Sequence, residues 1–305
     1  MIDRESIACV LSPLNTLQGE IVIIQLNNPR QIARNLLRNS VSNDLWLENQ
    51  QFVTRCREGL QGHPIAAHSM IQALNRGSFG LDAMQKIHLD YRHAIVQIFT
   101  DALLMAQVQS RQLERKLAPG TKMYARFLLT LNTLDEFGFK PGIDRDGYYR
   151  GNPLEAHYPL YERVLDEFGI GVNERKTYVY SPQADRVRGF LEDAYGDFAS
   201  VVALLAVAER VVVLFSAPLR ENAKAVGIET GTGYYLNHGA SDDLQAEADD
   251  DTHEDDLWYV LMQAISPTEY ARITYLCERY CDLWVDFWNA QMSILEQQVK
   301  GKVTA

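Results

Sequence analysis

The chain has 305 residues, 47% of them hydrophobic, which is enough for one large domain or two small ones with a substantial core. Its 40 acidic residues outnumber 29 Lys and Arg residues, so the formal net charge is −11. That balance argues against nucleic-acid binding and against a polybasic membrane contact. Nine of the acidic residues fall between Asp242 and Asp256, so much of the excess charge is local.

The sequence contains no signal for a membrane or an oxidising compartment. It has no uninterrupted apolar run of about 18 residues, so no transmembrane helix is expected. The N-terminus lacks a basic start followed by a long apolar block, so no signal peptide is expected. Four cysteines in a chain of this size do not make a disulfide framework. We therefore expect a cytoplasmic protein without a nucleic-acid or membrane partner.

The predicted elements begin with an irregular N-terminal extension, residues 1–29, in which residues 19–26 predict a short strand or an extended arm. Residues 30–305 then predict a single helical-bundle domain, so the fold class is all-α. Ser266 and Glu269 frame a capping box at the start of the last helix. The predicted helices cover residues 30–39, 43–59, 64–76, 80–116, 121–137, 153–169, 182–194, 197–225, 230–246, 253–265 and 267–298.

Two stretches interrupt the helical pattern. Residues 140–151 are rich in Gly and Asp and predict a loop. Lys176 to Tyr180 is the one strand candidate after residue 30.

The first candidate site residues are Asp90 and His93, inside a predicted apolar helix. They are three residues apart and so share one helix face, an arrangement typical of metal sites in helical bundles. A surface ion pair or a helix cap explains the same spacing equally well.

The second candidate is Glu209, within the almost wholly apolar segment 201–215. A helix that is apolar on nearly all sides lies at the centre of a bundle, and a carboxylate there needs a partner. That partner could be a metal ion or an arginine. Alternatively, the Glu209 and Arg210 side chains could both reach solvent.

The third candidate group lies in the acidic segment 235–256. His238 and Asp242 are four residues apart, and Asp249 and Asp250 precede His253 by four and three, so each set aligns on a helix face. A solvated acidic stretch that caps the following helix is the alternative interpretation. It explains the two histidines less well than the acids.

Together, the three segments offer oxygen and nitrogen ligands without thiolate, which suits non-heme iron or manganese and argues against structural zinc. The sequence has no phosphate-binding loop, dinucleotide fingerprint or Gly-x-Ser-x-Gly nucleophile motif.

Three segments carry a family resemblance. Residues 62–77 (GHPIAAHSMIQALNRG) resemble the opening helix of the TenA, PqqC and CADD group. Residues 131–138 (LNTLDEFG) and 152–169 (NPLEAHYPLYERVLDEFG) resemble the next helices of its iron-containing redox branch, the heme-oxygenase-like di-iron oxidases. The resemblance covers roughly residues 60–270 and implies a heme-oxygenase-like helical bundle.

In that family, a carboxylate and a histidine on one core helix, a glutamate on a second and a His/Asp/His set on a third bind the metals. The resemblance therefore implies Asp90 and His93 as the first pair and Glu209 as the lone glutamate.

The third set departs from the family spacing His-x3-Asp-x2-His. His238 with Asp242 matches its first half, and Asp250 with His253 matches its second half. Fifteen residues of continuous helix span about 22 Å, so both histidines reach one site only if the helix is interrupted. The resemblance implies His238, Asp250 and His253, with Asp242 and Asp249 as rivals.

These residues predict an O2-dependent oxidase with one or two Fe(II) ions, or manganese, that acts on a small organic acid, amine or amino acid. Two alternatives stay open. One is a metal-free TenA- or PqqC-like protein that binds or converts a small molecule; the other is a non-catalytic protein that docks through the acidic segment. The aromatic C-terminal helix is compatible with a homodimer in every case. Aromatic residues that could line a metal-free pocket are Tyr91, Tyr234, Tyr235, Trp284 and Trp288.

Overall fold

The computed structural model describes residues 28–237 and 244–303, and the side chains of residues 28–235 and 252–295. The chain forms a helical bundle in which helices are joined by short turns and 3-10 segments. Its helices are α1 (Pro29–Arg38), α2 (Asn43–Gly62), α3 (Ser69–Asn75), α4 (Leu81–Tyr91), α5 (Phe99–Gln109), α6 (Lys122–Glu136), α7 (His157–Glu167), α8 (Val172–Thr177), α9 (Pro182–Asp193), α10 (Phe198–Ala225), α11 (Tyr234–Asn237), α12 (Leu244–Ala264) and α13 (Tyr270–Val303).

Helix α10 is the centre of the bundle and packs against α3, α5, α12 and α13. Every side chain from Phe198 to Glu209 is buried, because the segment is apolar on all sides except at Ser200 and Glu209. By length and composition this helix could cross a membrane, but 83% of its most apolar window is buried inside the protein. Burial of that kind is typical of a core helix.

The predicted helix at residues 80–116 is divided in the structure. Helix α4 passes into a π-helical turn, Arg92–Val96, before α5 begins. In this turn the Gln97 N–H donates to the Arg92 carbonyl at 3.1 Å, five residues back. A π turn inserts one extra residue and so changes which side chains face the core.

The predicted loop at residues 140–151 contains an antiparallel hairpin, β1 (Phe139–Ile143) and β2 (Tyr149–Gly151). Its turn is held by the Asp144 carboxylate, which accepts hydrogen bonds from the Asp146 and Tyr148 N–H groups at 2.9 Å each. The strand candidate at residues 176–180 is wrong, because residues 176 and 177 end α8 and no strand follows there.

The structure confirms the capping box before α13. The Glu269 carboxylate accepts from the Ser266 N–H at 3.0 Å. The predicted break between residues 246 and 253 is wrong, since α12 is continuous from Leu244 to Ala264. The predicted strand or arm at residues 19–26 lies outside the described residues.

Helix α12 is held against α1 by a buried ion-pair cluster. Asp256, which is 3% exposed, lies 3.0 Å from Arg30 Nε and 2.7 Å from Arg34 Nη2. The Arg34 guanidinium also lies over the Tyr259 ring, 4.6 Å from its centroid. Because α12 also packs on α10 and α6, this cluster fixes the position of α12 at the core.

Removal of the Asp256 carboxylate should therefore destabilise the protein. We expect Asp256→Ala to lower the free energy of unfolding by about 2–3 kcal/mol, because it leaves two partly buried arginines without their partner. Asp255→Ala is the matched control. Asp255 is 41% exposed and pairs with Arg57 at the surface, so its loss should cost less than about 1 kcal/mol. Urea unfolding measures both, and equal losses would contradict this role of Asp256.

Candidate functional site

A small cavity of about 30 Å³ lies inside the bundle. A volume of this size holds one or two water molecules or an ion, and not an organic substrate. Its lining combines apolar side chains with two carboxylates, an imidazole and two phenols. The lining residues are Tyr91, Ile95, Val96, Phe99, Glu136, His157, Glu209, Val212 and Tyr234.

Glu136 and His157 are joined by a hydrogen bond across the cavity wall, with His157 Nδ1 2.9 Å from Glu136 Oε1. Glu136 ends α6 and His157 begins α7, so the intervening hairpin folds them together. Gly138 allows this close return of the chain: its φ is +78°, and a Cβ there would lie 2.5 Å from the Asn152 carbonyl oxygen. Both side chains of the pair are buried.

Glu209 reaches the same cavity from the middle of α10. It is 4% exposed, and its Oε1 accepts a hydrogen bond from Asn132 Nδ2 at 2.8 Å. Asn132 and Glu136 are four residues apart on α6 and therefore share the face that meets α10. The Asn132 amide thus fixes the orientation of the Glu209 carboxylate.

The π turn supplies the apolar part of the lining. Ile95 and Val96 lie within the turn, and Tyr91 and Phe99 flank it. These side chains exclude water from one side of the cavity. π turns of this kind are frequent at functional sites.

Tyr234 closes the cavity on another side. It packs edge-on against Tyr161, with ring centroids 4.8 Å apart. Burial, together with the neighbouring Tyr91, raises the pKa of Tyr234 well above its usual value, so the phenol stays protonated at neutral pH. Tyr234 is therefore a hydrogen-bond donor at the edge of the site.

Carboxylates are the main charged groups in the described lining of the cavity. Of the described residues that line it, none is Lys or Arg, and two are glutamates. Two buried carboxylates that line one cavity repel each other unless protons or a cation compensate. Within the described part of the chain, however, no three His, Cys, Asp or Glu side chains form a group tight enough to hold a metal ion.

Asp90 is buried on α4 but does not line this cavity. Its carboxylate accepts hydrogen bonds from the Ser181 N–H at 3.0 Å and from Gln291 Nε2 at 2.8 Å. The Tyr178 hydroxyl is a further partner. These bonds tie α4 to α13 and to the segment before α9, which accounts for the burial of this acid.

His93 lies in the π turn and faces α9. Its Nε2 is 2.7 Å from Asp185 Oδ1, and its ring stacks on Tyr180 with centroids 3.8 Å apart. Asp185 is 62% exposed, so the pair lies close to the surface. His93 thus bonds Asp185 and does not line the cavity that Glu209 reaches. The assignment of Asp90 and His93 as metal ligands stays a prediction.

His253 is buried on α12, which packs against both α6 and α10. Asp255 marks the solvent-facing side of this turn. Because successive helix residues are about 100° apart, His253 lies about 200° from Asp255 and points into the bundle. His253 is not among the residues that line the cavity, and its assignment as a ligand stays a prediction.

The remaining predicted residues cannot be placed by their side chains. His238 and Asp242 lie outside the described residues. Asp249 and Asp250 belong to α12, but their side chains are not described. Their assignment to the third ligand set stays a prediction.

Glu136 and His157 are the site residues that the sequence reasoning missed. Both lie in the two segments, 131–138 and 152–169, that resemble the iron-containing redox branch. Each segment carries an acid or a histidine at the end of a helix next to a Gly- or Pro-containing turn. An acid or a histidine at such a helix end is the sequence signal that indicates the pair.

The other aromatic candidates belong to the core. Trp284 and Trp288 are fully buried, and Trp288 stacks on Phe215 with ring centroids 4.2 Å apart. The Tyr235 hydroxyl donates to His88 Nε2, while His88 Nδ1 bonds the Met84 carbonyl at 2.7 Å. Of the predicted aromatics, Tyr91 and Tyr234 line the cavity.

Solved structures with a similar fold include a TenA homologue from Pseudomonas syringae (TM-score 0.55, 13% identity, covering 80% of this chain and 92% of that one). A CADD-like protein of unknown function from Nostoc punctiforme gives a TM-score of 0.59 at 14% identity over 82% and 99% of the two chains. The fold is TenA/CADD-like. A TenA family transcription regulator from a Silicibacter species gives a TM-score of 0.51 at 14% identity over 79% and 95% of the two chains.

These neighbours confirm the predicted all-α, TenA/CADD-like bundle. At such low identity they show the fold alone. No family model and no curated protein matches the sequence.

The buried His88 should make stability depend on pH. Burial lowers the pKa of His88 from 6.5 to about 4. Below pH 6.5 the His88 side chain therefore takes up a proton in the unfolded chain but stays neutral in the folded protein. The His88 contribution to the free energy of unfolding is fully present above pH 6.5 and declines as the pH falls towards 4. The contribution of His88 to that decline is roughly 3 kcal/mol.

Urea unfolding across this pH range tests the effect, with His88→Asn as the comparison. We expect the variant to lose less stability than the wild type between pH 6.5 and 4, whatever its absolute stability. Parallel pH profiles for the two proteins would contradict a neutral, buried His88.

Proposed function

We propose that this protein is a non-heme iron enzyme that uses O2 to oxidise a small organic molecule, with iron held at the buried cavity. The observation that carries the proposal is the meeting of Glu136, His157 and Glu209 around a cavity of ion size. TenA/CADD-like neighbours support a fold compatible with small-molecule binding or catalysis.

The donor chemistry fits iron. Carboxylate oxygens and imidazole nitrogen are the ligands of non-heme Fe(II) sites, and none of the described lining residues is a cysteine. Glu136 and His157 already face each other at hydrogen-bond distance. A metal ion bound by both would replace the proton between them and release it. His253, which points inward from α12, is the fourth ligand that we propose.

Bound Fe(II) would supply the activation of O2, which protein side chains alone do not provide. The chain itself contributes orientation and exclusion of water. Asn132 holds the Glu209 carboxylate, and the π-turn side chains Ile95 and Val96 keep one side of the site dry. Protonated Tyr234 can donate a hydrogen bond at the edge of the site.

A metal-free enzyme of the same fold is the second candidate. The Glu136–His157 pair favours it, because a carboxylate bonded to an imidazole is a common acid–base arrangement. The cavity of about 30 Å³ disfavours it, because a substrate would have to react from outside.

Metal analysis after anaerobic reconstitution with Fe(II) decides between the two candidates. We expect the wild type to retain about one or two iron ions per chain after desalting, the number that a carboxylate and histidine site of this kind holds. Glu209→Ala should lose most of this iron, because it removes a ligand from the central helix. Glu221→Ala, on the exposed face of the same helix, is the matched control and should retain the wild-type amount.

A second pair of variants locates the iron. Glu136→Ala should lose iron, whereas His93→Ala should retain it, because His93 bonds Asp185 away from the cavity. Far-UV circular dichroism checks that each variant is folded. Iron retained by Glu209→Ala would remove the proposed function, and iron lost only in His93→Ala would move the site to the π turn.

A further inference from the structure

A second cavity lies directly outside the core cavity and shares one wall with it. Its volume is about 220 Å³, and Tyr234 lines both cavities. Tyr234 therefore lies between the ion-sized cavity, here the inner cavity, and this larger one, the outer cavity. An organic molecule that is too large for the inner cavity has room beside it here.

The outer cavity has an apolar floor and a charged rim. Leu160 and Val164 of α7 are buried and form the floor together with Tyr234. Glu155, Arg163 and Glu167 stand around the opening. Ligand sites commonly combine such a floor with a few charged groups that orient the ligand.

The rim carries more negative than positive charge. Arg163 is half-exposed; its Nη2 donates to the Leu154 carbonyl at 3.0 Å and lies 3.4 Å from Glu155 Oε1. Burial and the nearby Glu229 carboxylate raise the pKa of Glu167, although Arg163 opposes the change. The single arginine thus does not balance the acids, and an ammonium group would.

We propose that the outer cavity binds a small molecule of amino-acid size that carries both an ammonium group and a carboxylate. The ammonium lies at Glu167, the carboxylate lies at Arg163, and the apolar part of the molecule rests on Leu160 and Val164. Its size follows from the volume, which is below the roughly 300–1000 Å³ of sites for drug-sized ligands. The inference rests on the proposed function in one respect: the bound molecule is the substrate that the inner site oxidises.

Ligand-observed NMR on metal-free protein tests the binding independently of iron. The probes are the common amino acids, followed by a matched set of leucine, 3-methylbutylamine and 4-methylpentanoate, in which the last two each lack one charge. We expect at least one amino acid to show saturation transfer. For a molecule that binds, loss of either charged group should weaken binding by about threefold to fivefold, as for a half-exposed ion pair.

Variants assign the two ends of the ligand. Glu167→Gln should weaken binding of the amino acid and of its amine analogue, and Arg163→Ala should weaken binding of the amino acid and of its acid analogue. Glu174→Gln and Arg186→Ala are matched controls at exposed positions outside the cavity and should have no effect.

Three results would overturn the inference. No amino acid binds, the amine and acid analogues bind as tightly as the amino acid, or the Glu167 and Arg163 variants behave like the controls. Amino-acid binding and iron binding are measured separately, so failure of this inference is distinguishable from failure of the proposed function. Failure of iron binding with intact amino-acid binding would leave a ligand site without the oxidase, and the reverse would leave an iron site whose substrate enters elsewhere.

Discussion

The burial of two carboxylates and an imidazole at the centre of an apolar bundle is the constraint on which the rest of the structure depends. Charged groups are tolerated in such a place only when they are hydrogen-bonded, protonated or bound to a cation. Glu209 is held by Asn132, and Glu136 by His157. The bundle around them supplies the remaining conditions, which are a dry lining from the π turn and a closing wall from Tyr234. An ion-sized space with this lining is the basis of the proposed iron site.

The outer parts of the fold place these groups. The hairpin after α6 returns the chain so that His157 meets Glu136, and Gly138 permits the close approach. The Asp256 cluster holds α12, and with it His253, against the central helix. Beyond Tyr234 the bundle opens into a larger, charged cavity. The inner space has the size of an ion and the outer space that of a small organic molecule, as the proposed iron site and ligand site require.

Much of the fold follows from local pattern, because amphipathic periodicity and caps act within a few residues. The central position of α10 and the burial of Glu209 could be predicted because a helix that is apolar on all sides has no solvent face. The π turn could not, since every residue from 81 to 109 is compatible with an ordinary helix. Spacing placed Asp90 and His93 on one face, but their partners Ser181, Gln291 and Asp185 are distant in the chain. The pairing of Glu136 with His157 likewise depends on a tertiary turn.

The position of the metal in a crystal of the iron-loaded protein tests the central claim most directly. Anomalous diffraction recorded at the iron absorption edge should give a peak between Glu136, His157 and Glu209, with the Glu136–His157 hydrogen bond replaced by metal–ligand contacts. A fully loaded crystal with its peak at the His93–Asp185 pair, or with no peak inside the bundle, would contradict it.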